Sequence, residues 1–555
     1  MSRLPIAFLI AVASPALLFP QAGSIYPRGG LLNAASFAAP GLPHGSIARG
    51  SEFSIFGLGL GPASSPTLAF PLSTSLGGVT ISVFQGATSV NAIPVFVSPT
   101  QINAIMPSNA PLGLASVQVT FNTFTTNPAP VRIVNSSFGI YTATGLGLGP
   151  GILQNFNSAT DQPINAPSLA AKPGQTVTLW GTGLGPVSYA DNIPPTGANL
   201  PTQTEVFVGG KLARPLYNGR SPCCSGNDQI VFAVPADAPL GCYVPVFVRT
   251  EGKIVSNSVT MAITADGSPC SEPANPFTAP LLKGGNIGYV ELRRSVGHDL
   301  LTLSTPIDYT TDHSLLNFRR EKGGTFAFNP KLSLPPAGSC TVYTTIGDIR
   351  VSGNLLGTSP TGRFLDPGPS FTVNGPNGGS RKIVPPQPPR VQAAQLGRSF
   401  PAAGLFSNAI LEPGPIAVSS AGGPDVGPIS VTLNNPGILT WSNRDQISAI
   451  DRTQPLTITW TGAPAGTPVE ITGGAFDRSK NASAMFLCIA PADTTSFTVP
   501  GYILSSLPPG PNSVSPAGGY LTVGALNAPA TFSATGLDVG VASIQSFTGT
   551  TVTYK

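Results

Sequence analysis

Carboxylate pairs are the first groups in this sequence that could do chemistry, because glycoside hydrolysis uses two acids about 5–9.5 Å apart. The chain of 555 residues contains 24 Asp and Glu residues. Glu470, Asp425, Asp451 and Asp366 are imaginable partners, but their spacing along the chain does not select a pair. The Asp-Pro-Gly run that starts at Asp366 is typical of a turn. Each of the four is also explained as a turn cap or a surface group.

A second set of polar residues could hold a metal ion or supply a general base. His298 and Asp299 lie near Asp308, Asp312 and His313 in the sequence. Nitrogen and carboxylate ligands could bind a metal, or Asp312 could orient His313 as a base. Adjacent residues on a strand point to opposite faces, so His298 and Asp299 cannot converge there. The set is interpreted as hydrophilic turn residues, and no metal site or cofactor is expected.

Two glycine-rich runs, at residues 57–61 and 181–185, superficially resemble phosphate-binding loops. A phosphate loop must open a helix whose N-terminal amides face the anion. Each run is instead followed by proline and further turn residues, with no helical pattern. The runs are therefore interpreted as loops between strands, where glycine is needed for positive φ angles. No G-x-S-x-G nucleophile motif occurs in the sequence.

The cysteines predict disulfide bonds, because an even count in an exported chain favours them. Neighbouring Cα atoms lie about 3.8 Å apart, whereas disulfides prefer about 4.4–6.8 Å. We therefore expect one of the two adjacent cysteines to bond to Cys242 and the other to Cys270, and Cys340 to bond to Cys488. No C-x-x-C pair indicates a zinc site. The six cysteines are Cys223, Cys224, Cys242, Cys270, Cys340 and Cys488.

Aromatic side chains could stack on sugar rings as binding platforms. The candidates are Trp180, Trp441, Trp460, Tyr217 and Tyr243. Trp180 and Trp460 each end an alternating strand pattern, which fits a core or a rim position equally well. Because large aromatic side chains are highly buried on average, core positions are favoured. Trp441 and Trp460 are expected to anchor a C-terminal core.

Charge excludes one class of partner. Only 9% of the residues are charged, against a usual value of about 25%, and the net charge is +4. The densest basic spots are residues 319–322 and 293–294, which fit solvated strand ends. No stripe of Lys and Arg matches a phosphate backbone, so no nucleic-acid partner is expected.

The first 22 residues have the pattern of an export signal. Arg3 precedes an apolar stretch at residues 4–19, and small residues follow at 21–23. The apolar stretch is short and contains two prolines, which disfavours a retained membrane span. No later run of about 18 apolar residues occurs. The chain is therefore expected to be secreted or held at the cell surface, with no transmembrane segment after the signal peptide.

A repeated phrase organises the first half of the chain. Residues 101–113 read QINAIMPSNAPLG, and residues 229–241 read QIVFAVPADAPLG. The offset is 229 − 101 = 128 residues, which indicates a duplicated domain, because solenoid units repeat every 20–50 residues or so. Short alternating runs separated by turn signals about every 8–12 residues are typical of β-sandwiches.

Several motifs occur in a fixed order: Asn33 to Phe37, the two G-x-G-L-G-P turns, Leu76 to Val79, and the two Q-I phrases. In this order they resemble an uncharacterised domain family found in secreted proteins of Solibacter-type acidobacteria. That family is similar in turn to the IPT/TIG immunoglobulin-like fold. The resemblance covers about residues 31–264 and implies a fold and secretion, but no activity and no site residues. The remainder resembles uncharacterised segments of the same secreted proteins.

The sequence predicts an all-β chain of tandem immunoglobulin-like sandwiches with further β-sandwich-like regions. We expect a secreted or cell-surface binding or adhesion protein that is not an enzyme, with an extracellular protein or polysaccharide as partner. The alternative is a secreted polysaccharide-active enzyme with accessory β modules.

The predicted units are a signal peptide at 1–22, immunoglobulin-like domains at 31–138 and 139–265, a linker at 266–285, a β-rich region at 286–380, a proline-rich spacer at 381–400 and a C-terminal β-sandwich at 401–555.

Overall fold

The computed structural model describes residues 23–299, 307–347, 362–400, 405–510 and 519–555. These residues form 39 strands, two short α-helices and one 3-10 helix. The predicted all-β class is confirmed. The predicted signal peptide lies outside the described residues. Among the described helices, none has the length and apolar character needed to cross a membrane.

The first domain is built from strands whose alternating residues point into one core. Its strands are β1 (Ser24–Ile25), β2 (Leu31–Asn33), β3 (Ile47–Ala48), β4 (Glu52–Leu58), β5 (Ser75–Leu76), β6 (Val79–Gln85), β7 (Thr88–Val97), β8 (Gln101–Ile105), β9 (Gly113–Phe121), β10 (Phe124–Thr125) and β11 (Ala129–Val134). Val79, Ile81 and Val83 of β6 are fully buried, and the residues between them are partly exposed. This period of two is the reason these residues form half-buried strands.

The second domain repeats the strand pairings of the first. Its strands are β12 (Gly139–Ile140), β13 (Leu153–Asn155), β14 (Thr176–Thr182), β15 (Thr204–Val208), β16 (Lys211–Ala213), β17 (Pro215–Arg220), β18 (Asp228–Ala233), β19 (Gly241–Thr250), β20 (Ile254–Val255) and β21 (Val259–Ile263). β14 pairs with β18 as β4 pairs with β8, and β15 pairs with β19 as β6 pairs with β9.

One strand differs between the two domains. In the first, β7 pairs with β6 through its first half and with β8 through its second half, with a register shift between Pro94 and Phe96. In the second, the same path is divided into β16, which pairs with β15, and β17, which pairs with β18. The first domain therefore has one continuous sheet path, and the second has two five-stranded sheets.

The repeated Q-I phrase forms the same corner in both domains. It runs along β8 or β18, turns, and enters β9 or β19. In the first turn the Ala110 amide donates to the Pro107 carbonyl at 3.0 Å, and in the second the Ala238 amide donates to the Pro235 carbonyl at 3.1 Å. The phrase is therefore a structural corner that leads into the last strands of each sandwich.

The C-terminal half contains one large sheet and two small ones. Its elements are α1 (Thr278–Lys283), β22 (Gly285–Asp299), β23 (Ile307–Glu321), β24 (Ser339–Ile346), β25 (Phe371–Asn374), β26 (Ser380–Ile383), β27 (Gln392–Phe400), β28 (Leu405–Ser407), β29 (Gly414–Ser420), β30 (Ile429–Asn435), β31 (Thr440–Trp441), the 3-10 helix (Arg444–Gln446), β32 (Ala449–Ile450), β33 (Leu456–Thr461), β34 (Val469–Asp477), β35 (Ala482–Ala490), β36 (Ser496–Val499), α2 (Gly501–Leu504), β37 (Gly519–Ala525), β38 (Ala530–Phe532) and β39 (Val539–Tyr554). The large sheet has the order β24-β35-β34-β37-β39-β22-β23-β27-β28.

This sheet joins regions that the sequence divided. β22 runs parallel to β39 over twelve residue pairs, from Ile287 opposite Val539 to His298 opposite Thr550. The regions 286–380 and 401–555 therefore share one sheet. Residues 381–400, predicted as a spacer, contain the end of β26 and the whole of β27, which pairs with β23. The proline run is only a part of that segment, because strand pairing continues on both sides of it.

The two faces of the large sheet have different surroundings. One face packs against the small sheets β26-β25-β29-β30 and β31-β33-β36, and its core includes Trp441, Trp460, Ile471 and Val523. The two tryptophans are 6% and 1% exposed, as expected for core anchors. The opposite face carries several charged side chains.

Candidate functional site

Three of the four carboxylates considered from the sequence accept hydrogen bonds from other residues of the chain. Asp425 accepts hydrogen bonds from the Asp366 amide at 2.9 Å and from Arg363 at 2.8 Å. Asp366 accepts the Gly368 amide at 2.9 Å. Asp451 accepts both the hydroxyl and the amide of Thr453, at 2.7 and 2.9 Å. These hydrogen bonds lower the pKa of Asp425 and Asp451, which favours the ionised form of these two acids.

Glu470 is in a different environment, on the charged face of the large sheet. It stands in β34, opposite Gly524 of β37, which in turn stands opposite Phe547 of β39. The Glu470 side chain is half-buried and accepts one hydrogen bond, from the Thr472 hydroxyl at 3.0 Å. We call this side of the sheet the polar face, which comprises Tyr289, Glu291, Arg293, Glu470, Thr472, Ser543, Gln545 and Phe547.

An arginine lies at the centre of the polar face. The Arg293 guanidinium carbon lies 4.0 Å from the centre of the Phe547 ring, which is a cation–π contact. The Phe547 ring covers Gly524, since a Cβ at that glycine would lie 2.5 Å from the ring. No carboxylate of the described residues lies within 4.0 Å of Arg293. Gly524 therefore leaves room for the Phe547 ring on which Arg293 stacks. The N–H groups of the Arg293 guanidinium remain able to donate hydrogen bonds.

A hydrogen-bonded group continues the polar face along β22 and β39. The Tyr289 hydroxyl lies 3.2 Å from the Ser543 hydroxyl and 3.3 Å from Glu291. Lys331 lies 3.5 Å from the same Glu291 oxygen. The side chain of Glu291 is 12% exposed and that of Lys331 is 37% exposed. The group therefore joins a sheltered carboxylate to a cation that reaches solvent.

The carboxylates of the polar face influence each other. Burial raises the pKa of Glu470 and the charge on Glu291 raises it further, while Arg293, Thr472 and Lys331 lower it. Burial also raises the pKa of Tyr289 well above its usual value, and Glu291 contributes to that shift. Two carboxylates and two cations balance to zero formal charge. The site is thus neutral but strongly polar.

A cleft of about 460 Å³ adjoins the polar face. Tyr289, Lys331, Ser543 and Gln545 line both the cleft and the group just described. Segments of the chain on either side supply its rigid walls, and these walls include Pro276, Pro335, Pro336, Pro468 and Pro529. A ligand in this preformed cleft would therefore lie beside Tyr289 and Lys331.

The histidine-containing set does not form a site. Asp312 is fully buried, accepts Arg294 at 2.9 and 3.2 Å, and also accepts the amides of Ile410 and Leu411. Its hydrogen-bonding capacity serves the core, so it does not orient His313, which is exposed on the polar side of the sheet. The side chains of His298, Asp299 and Asp308 lie outside the described residues.

The predicted pairing of four cysteines is wrong. Cys223 is bonded to Cys224, and Cys242 is bonded to Cys270. The adjacent pair lies in the loop between β17 and β18, whereas Cys242 lies beyond the other end of β18, whose six residues span about 20 Å. Cys242 and Cys270 lie at one end of the sandwich, with Cα atoms 5.5 Å apart. The prediction from Cα spacing failed because Cys223 and Cys224 lie too far from Cys242 and Cys270 to bond to them, so the two adjacent cysteines bond to each other.

The remaining disulfide has the predicted pairing. Cys340 of β24 stands directly opposite Cys488 of β35, and the two are bonded. Among the described residues, the one group with metal-ligand spacing is Cys242, Cys270 and Glu272. Its two sulfur atoms are bonded to each other, and Glu272 accepts the Cys242 amide at 2.8 Å. The disulfide therefore occupies the group that could have bound a metal.

The aromatic candidates do not form an exposed platform. Tyr243, Trp441 and Trp460 are buried. Trp180 is half-buried and donates to Gln154 at 2.7 Å, and Tyr217 donates to the Arg220 carbonyl at 2.6 Å. Each of these five side chains is accounted for by packing or by a hydrogen bond within the chain.

The backbone amides of the second glycine-rich turn bind a side-chain carboxylate of the same chain, that of Asp228. The amides of Gly183 and Leu184 each donate to Asp228 at 2.8 Å. Arg220 also donates to Asp228, at 2.5 Å, and to the Gly185 carbonyl at 2.8 Å. The turn is therefore a structural loop, as predicted, and its amides are occupied by a carboxylate.

Sequence reasoning considered Glu470 but missed Tyr289, Glu291 and Lys331 as its neighbours. These residues lie about 140–180 positions before Glu470, and the alternating pattern of β22 gives no sign of which strands will lie beside it. The one available signal was the pair of charged residues at consecutive polar positions of β22, Glu291 and Arg293.

No family model and no curated protein matches the chain. Solved structures that resemble it include a tetra-tandem repeat from the extending region of a large adhesion protein, at 11% identity over 91% of this chain and 96% of that one, with a TM-score of 0.13. Another is SGBP-B of the Bacteroides ovatus mixed-linkage glucan utilization locus, at 10% identity over 85% and 90%, with a TM-score of 0.13. Domains 5–6 of the S-layer protein SbsC match at 12% identity over 40% and 93%, with a TM-score of 0.15. At these values the likenesses carry no argument about function.

Proposed function

We propose that this chain is an exported, non-catalytic binding protein whose polar face engages an extracellular macromolecule. The observation that carries the proposal is the incomplete pairing of two half-buried charges of that face, Glu470 and Arg293, beside a cleft of about 460 Å³. Glu470 accepts one hydrogen bond, and Arg293 has no carboxylate within ion-pair distance among the described residues. Half-buried charges that are incompletely paired cost stability and are therefore a mark of binding sites.

Export is supported by the covalent structure and by the sequence. The described chain holds three disulfides and no free cysteine, which fits an oxidising environment. The pattern of residues 1–22 is that of a signal peptide. The two sandwiches at residues 31–264 are proposed to belong to the immunoglobulin-like family that their motifs resemble, and to act as the support for the binding region.

A binding experiment with two point variants tests this function. The full chain is passed over immobilised extracellular proteins and polysaccharides, and the Glu470→Gln and Arg293→Gln variants are compared with the wild type. We expect at least one retained material whose retention both variants lose. Glu251→Gln and Arg132→Gln are matched controls, because both residues are exposed in the sandwiches. Equal retention of the wild type and both polar-face variants on every material would contradict the proposal.

The second candidate is hydrolysis of a polysaccharide, because the polar face contains two carboxylates that influence each other. Burial raises the pKa of Glu470, as a general acid requires, while Lys331 and Tyr289 lie beside Glu291. Release of reducing ends from a retained polysaccharide, abolished in both Glu470→Gln and Glu291→Gln, would favour the enzyme. Retention without release of reducing ends favours the binding protein.

A further inference from the structure

The bond between Cys223 and Cys224 lies in a loop of the second domain that touches the first domain. We propose that this bond is a site of thiol–disulfide exchange, which a dithiol reductant opens reversibly, and that opening it loosens the junction between the two domains. We call residues 221–227 the disulfide loop. The proposal concerns the sandwiches and does not depend on the polar face.

Accessibility distinguishes this bond from the other two disulfides of the described chain. Of the six cysteines, Cys223 is the one that is exposed, and its partner Cys224 is half-buried. Cys340 and Cys488 are 4% and 0% exposed, and Cys242 is 2% exposed. Because an attacking thiolate must reach a sulfur atom, the Cys223 sulfur is the favoured point of attack.

The length of chain that each disulfide closes points the same way. Cys223 and Cys224 are one residue apart, whereas the partners of the other two bonds are 28 and 148 residues apart. In the chain-entropy account, a disulfide stabilises the fold more when it closes a longer loop. The fold therefore opposes reduction of the adjacent pair least.

The exchange is a two-electron reduction of the protein by the dithiol. One thiolate of the dithiol attacks the Cys223 sulfur, the bond to Cys224 breaks, and Cys224 leaves as a thiolate that takes a proton from water. The second thiol of the reductant, as its thiolate, attacks its own sulfur in the mixed disulfide. Cys223 is released and protonated, and the reductant leaves as a disulfide.

The disulfide loop packs directly on the first domain. A Cβ at Gly226 would lie 3.0 Å from the Ile105 Cγ1 atom of β8 and 3.6 Å from the Glu52 Cβ atom of β4. The Thr182 hydroxyl donates to the Gly226 carbonyl at 2.6 Å and accepts the Glu52 amide at 2.8 Å. The Gly226 backbone is therefore linked to β4 through one buried hydroxyl.

A second link passes through Asn227. The Tyr141 hydroxyl lies 2.7 Å from the Asn227 side-chain oxygen and 2.8 Å from a carboxylate oxygen of Glu52. Two neighbouring residues of the disulfide loop thus reach the same residue of the first domain by different routes.

A third link leaves the loop through Ser225. Its hydroxyl donates to the Ile193 carbonyl at 3.1 Å. The preceding residue, Asn192, accepts the Leu72 amide at 2.7 Å and donates to the Leu72 carbonyl at 3.2 Å. Leu72 belongs to the first domain, so the disulfide loop also supports this part of the junction.

Backbone hydrogen bonds hold the middle of the disulfide loop weakly. The Cys224 amide donates to the Ser221 carbonyl at 3.4 Å, and the Asn227 amide donates to the Cys224 carbonyl at 3.3 Å, both longer than the usual 2.7–3.2 Å or so. The disulfide closes a small covalent ring that restricts the backbone of both cysteines. Opening the ring restores backbone rotations in the segment that carries all three links.

The first test is alkylation of the full chain during a titration with dithiothreitol. Thiols are trapped with iodoacetamide at each concentration and located by peptide mapping. We expect Cys223 and Cys224 to be alkylated at a concentration about tenfold lower than the other four cysteines, because they are more accessible and close a shorter loop. Alkylation of another pair at the same or a lower concentration would overturn the proposal.

The second test is hydrogen–deuterium exchange on the chain in which this bond alone is reduced. Amides at residues 50–54, 182–184 and 191–193 should exchange about threefold or more faster than in the oxidised chain, because the links to the loop are weakened. Strands β24 and β35, joined by Cys340–Cys488, are the internal control and should not change. Reoxidation with oxidised glutathione should restore the original rates.

Two variants separate the disulfide from its links. The Cys223→Ser/Cys224→Ser double variant should exchange as the reduced wild type does and should not respond further to reductant. Thr182→Val should speed exchange at residues 50–54 while the disulfide stays closed, because it removes the hydroxyl between Gly226 and Glu52. The reduced and reoxidised wild type supplies the same comparison if a variant does not fold.

Two outcomes of the exchange experiment would overturn the role at the junction. Reduction of Cys223–Cys224 with unchanged exchange at residues 50–54, 182–184 and 191–193 would show that the bond does not control the junction. Faster exchange that persists after reoxidation would show that reduction damages the fold instead of switching it.

Discussion

Among the described residues, two of the charged groups that are sheltered from water differ in how completely they are paired. In the second domain, Asp228 receives Arg220 and two amides, and both residues of the ion pair are almost fully buried. On the polar face, Glu470 receives one hydroxyl, and Arg293 stacks on Phe547. The Asp228 carboxylate is completely paired, whereas Glu470 and Arg293 are not.

The difference separates a structural role from a binding role. Burial raises the pKa of Asp228 to about 6 even though Arg220 and the two amides lower it, which shows how costly that site is for a charge. The full set of partners keeps the carboxylate in place and links β17, β18 and the glycine-rich turn. The polar face has no such complete set, because Glu470 accepts one hydrogen bond and Arg293 stacks on Phe547 without a carboxylate partner among the described residues.

The largest expected effect on stability is at the buried ion pair of Arg220 and Asp228. Arg220→Met leaves the Asp228 carboxylate buried without its cation, and we expect the free energy of unfolding to fall by about 3–5 kcal/mol. Arg249→Met is the matched control, because Arg249 pairs with Glu205 at 2.7 Å in a partly exposed position and should cost about 0–1 kcal/mol. Urea unfolding measures both. Equal losses would show that completeness of pairing does not decide stability here.

His44 extends the comparison to a buried side chain that has no hydrogen-bond partner among the described residues. It is 2% exposed, its two ring nitrogens make no hydrogen bond to the described residues, and burial lowers its pKa from 6.5 to about 4. The unfolded chain therefore binds a proton between pH 6.5 and 4 that the folded chain does not. Stability is complete above pH 6.5 and should decrease by about 3 kcal/mol as pH falls to 4.

The His44→Leu variant tests that dependence. Its unfolding free energy should change less than that of the wild type between pH 7.5 and pH 4. His313→Gln should reduce the change by a smaller amount, because burial and the nearby Arg293 and Arg398 also lower the pKa of His313, which is more exposed than His44. An unchanged slope in His44→Leu would show that another group carries the pH dependence.

A smaller effect on stability is expected at the polar face. Burial raises the pKa of Glu470, so the folded chain binds a proton more tightly than the unfolded chain. This contribution makes stability increase as pH falls through the folded pKa towards 4.5. Glu470→Gln should remove it and leave stability at pH 7.5 within about 1 kcal/mol of the wild type. A loss as large as that of Arg220→Met would place Glu470 among the structural groups.

The smallest effect is expected at a fully exposed pair. Lys211 lies 2.9 Å from Asp237, and both side chains face solvent. Asp237→Asn should give no resolvable change in Tm, since exposed pairs are screened. A clear decrease in Tm, measured by calorimetry, would show that an exposed ion pair contributes more to stability than expected.

The sequence predicts much of the first half because its signals are local. The period of two in β6 and the repeated Q-I phrase depend on neighbours within about ten residues, and the structure confirms the strands that they indicate. The glycine-rich turns were also interpreted correctly as loops between strands. What the local pattern did not show is that the second turn holds Asp228, because Asp228 lies more than forty residues further along the chain.

The rest depends on contacts between distant segments. The shared sheet of the C-terminal half requires β22 to pair with β39, about 250 residues later, and no local pattern announces a parallel pair at that separation. The polar face is a consequence of the same pairing. The cysteine prediction failed for a related reason, since the sequence does not show at which end of a strand each cysteine lies.

Hydrogen–deuterium exchange with and without a retained extracellular macromolecule tests the proposed binding function most directly. The account predicts slower exchange in the segments that wall the cleft, residues 331–336, 466–468 and 526–529, and no change in the immunoglobulin-like domains. Slower exchange confined to residues 31–265, with the cleft segments unaffected, would contradict it and would move the binding site to the tandem sandwiches.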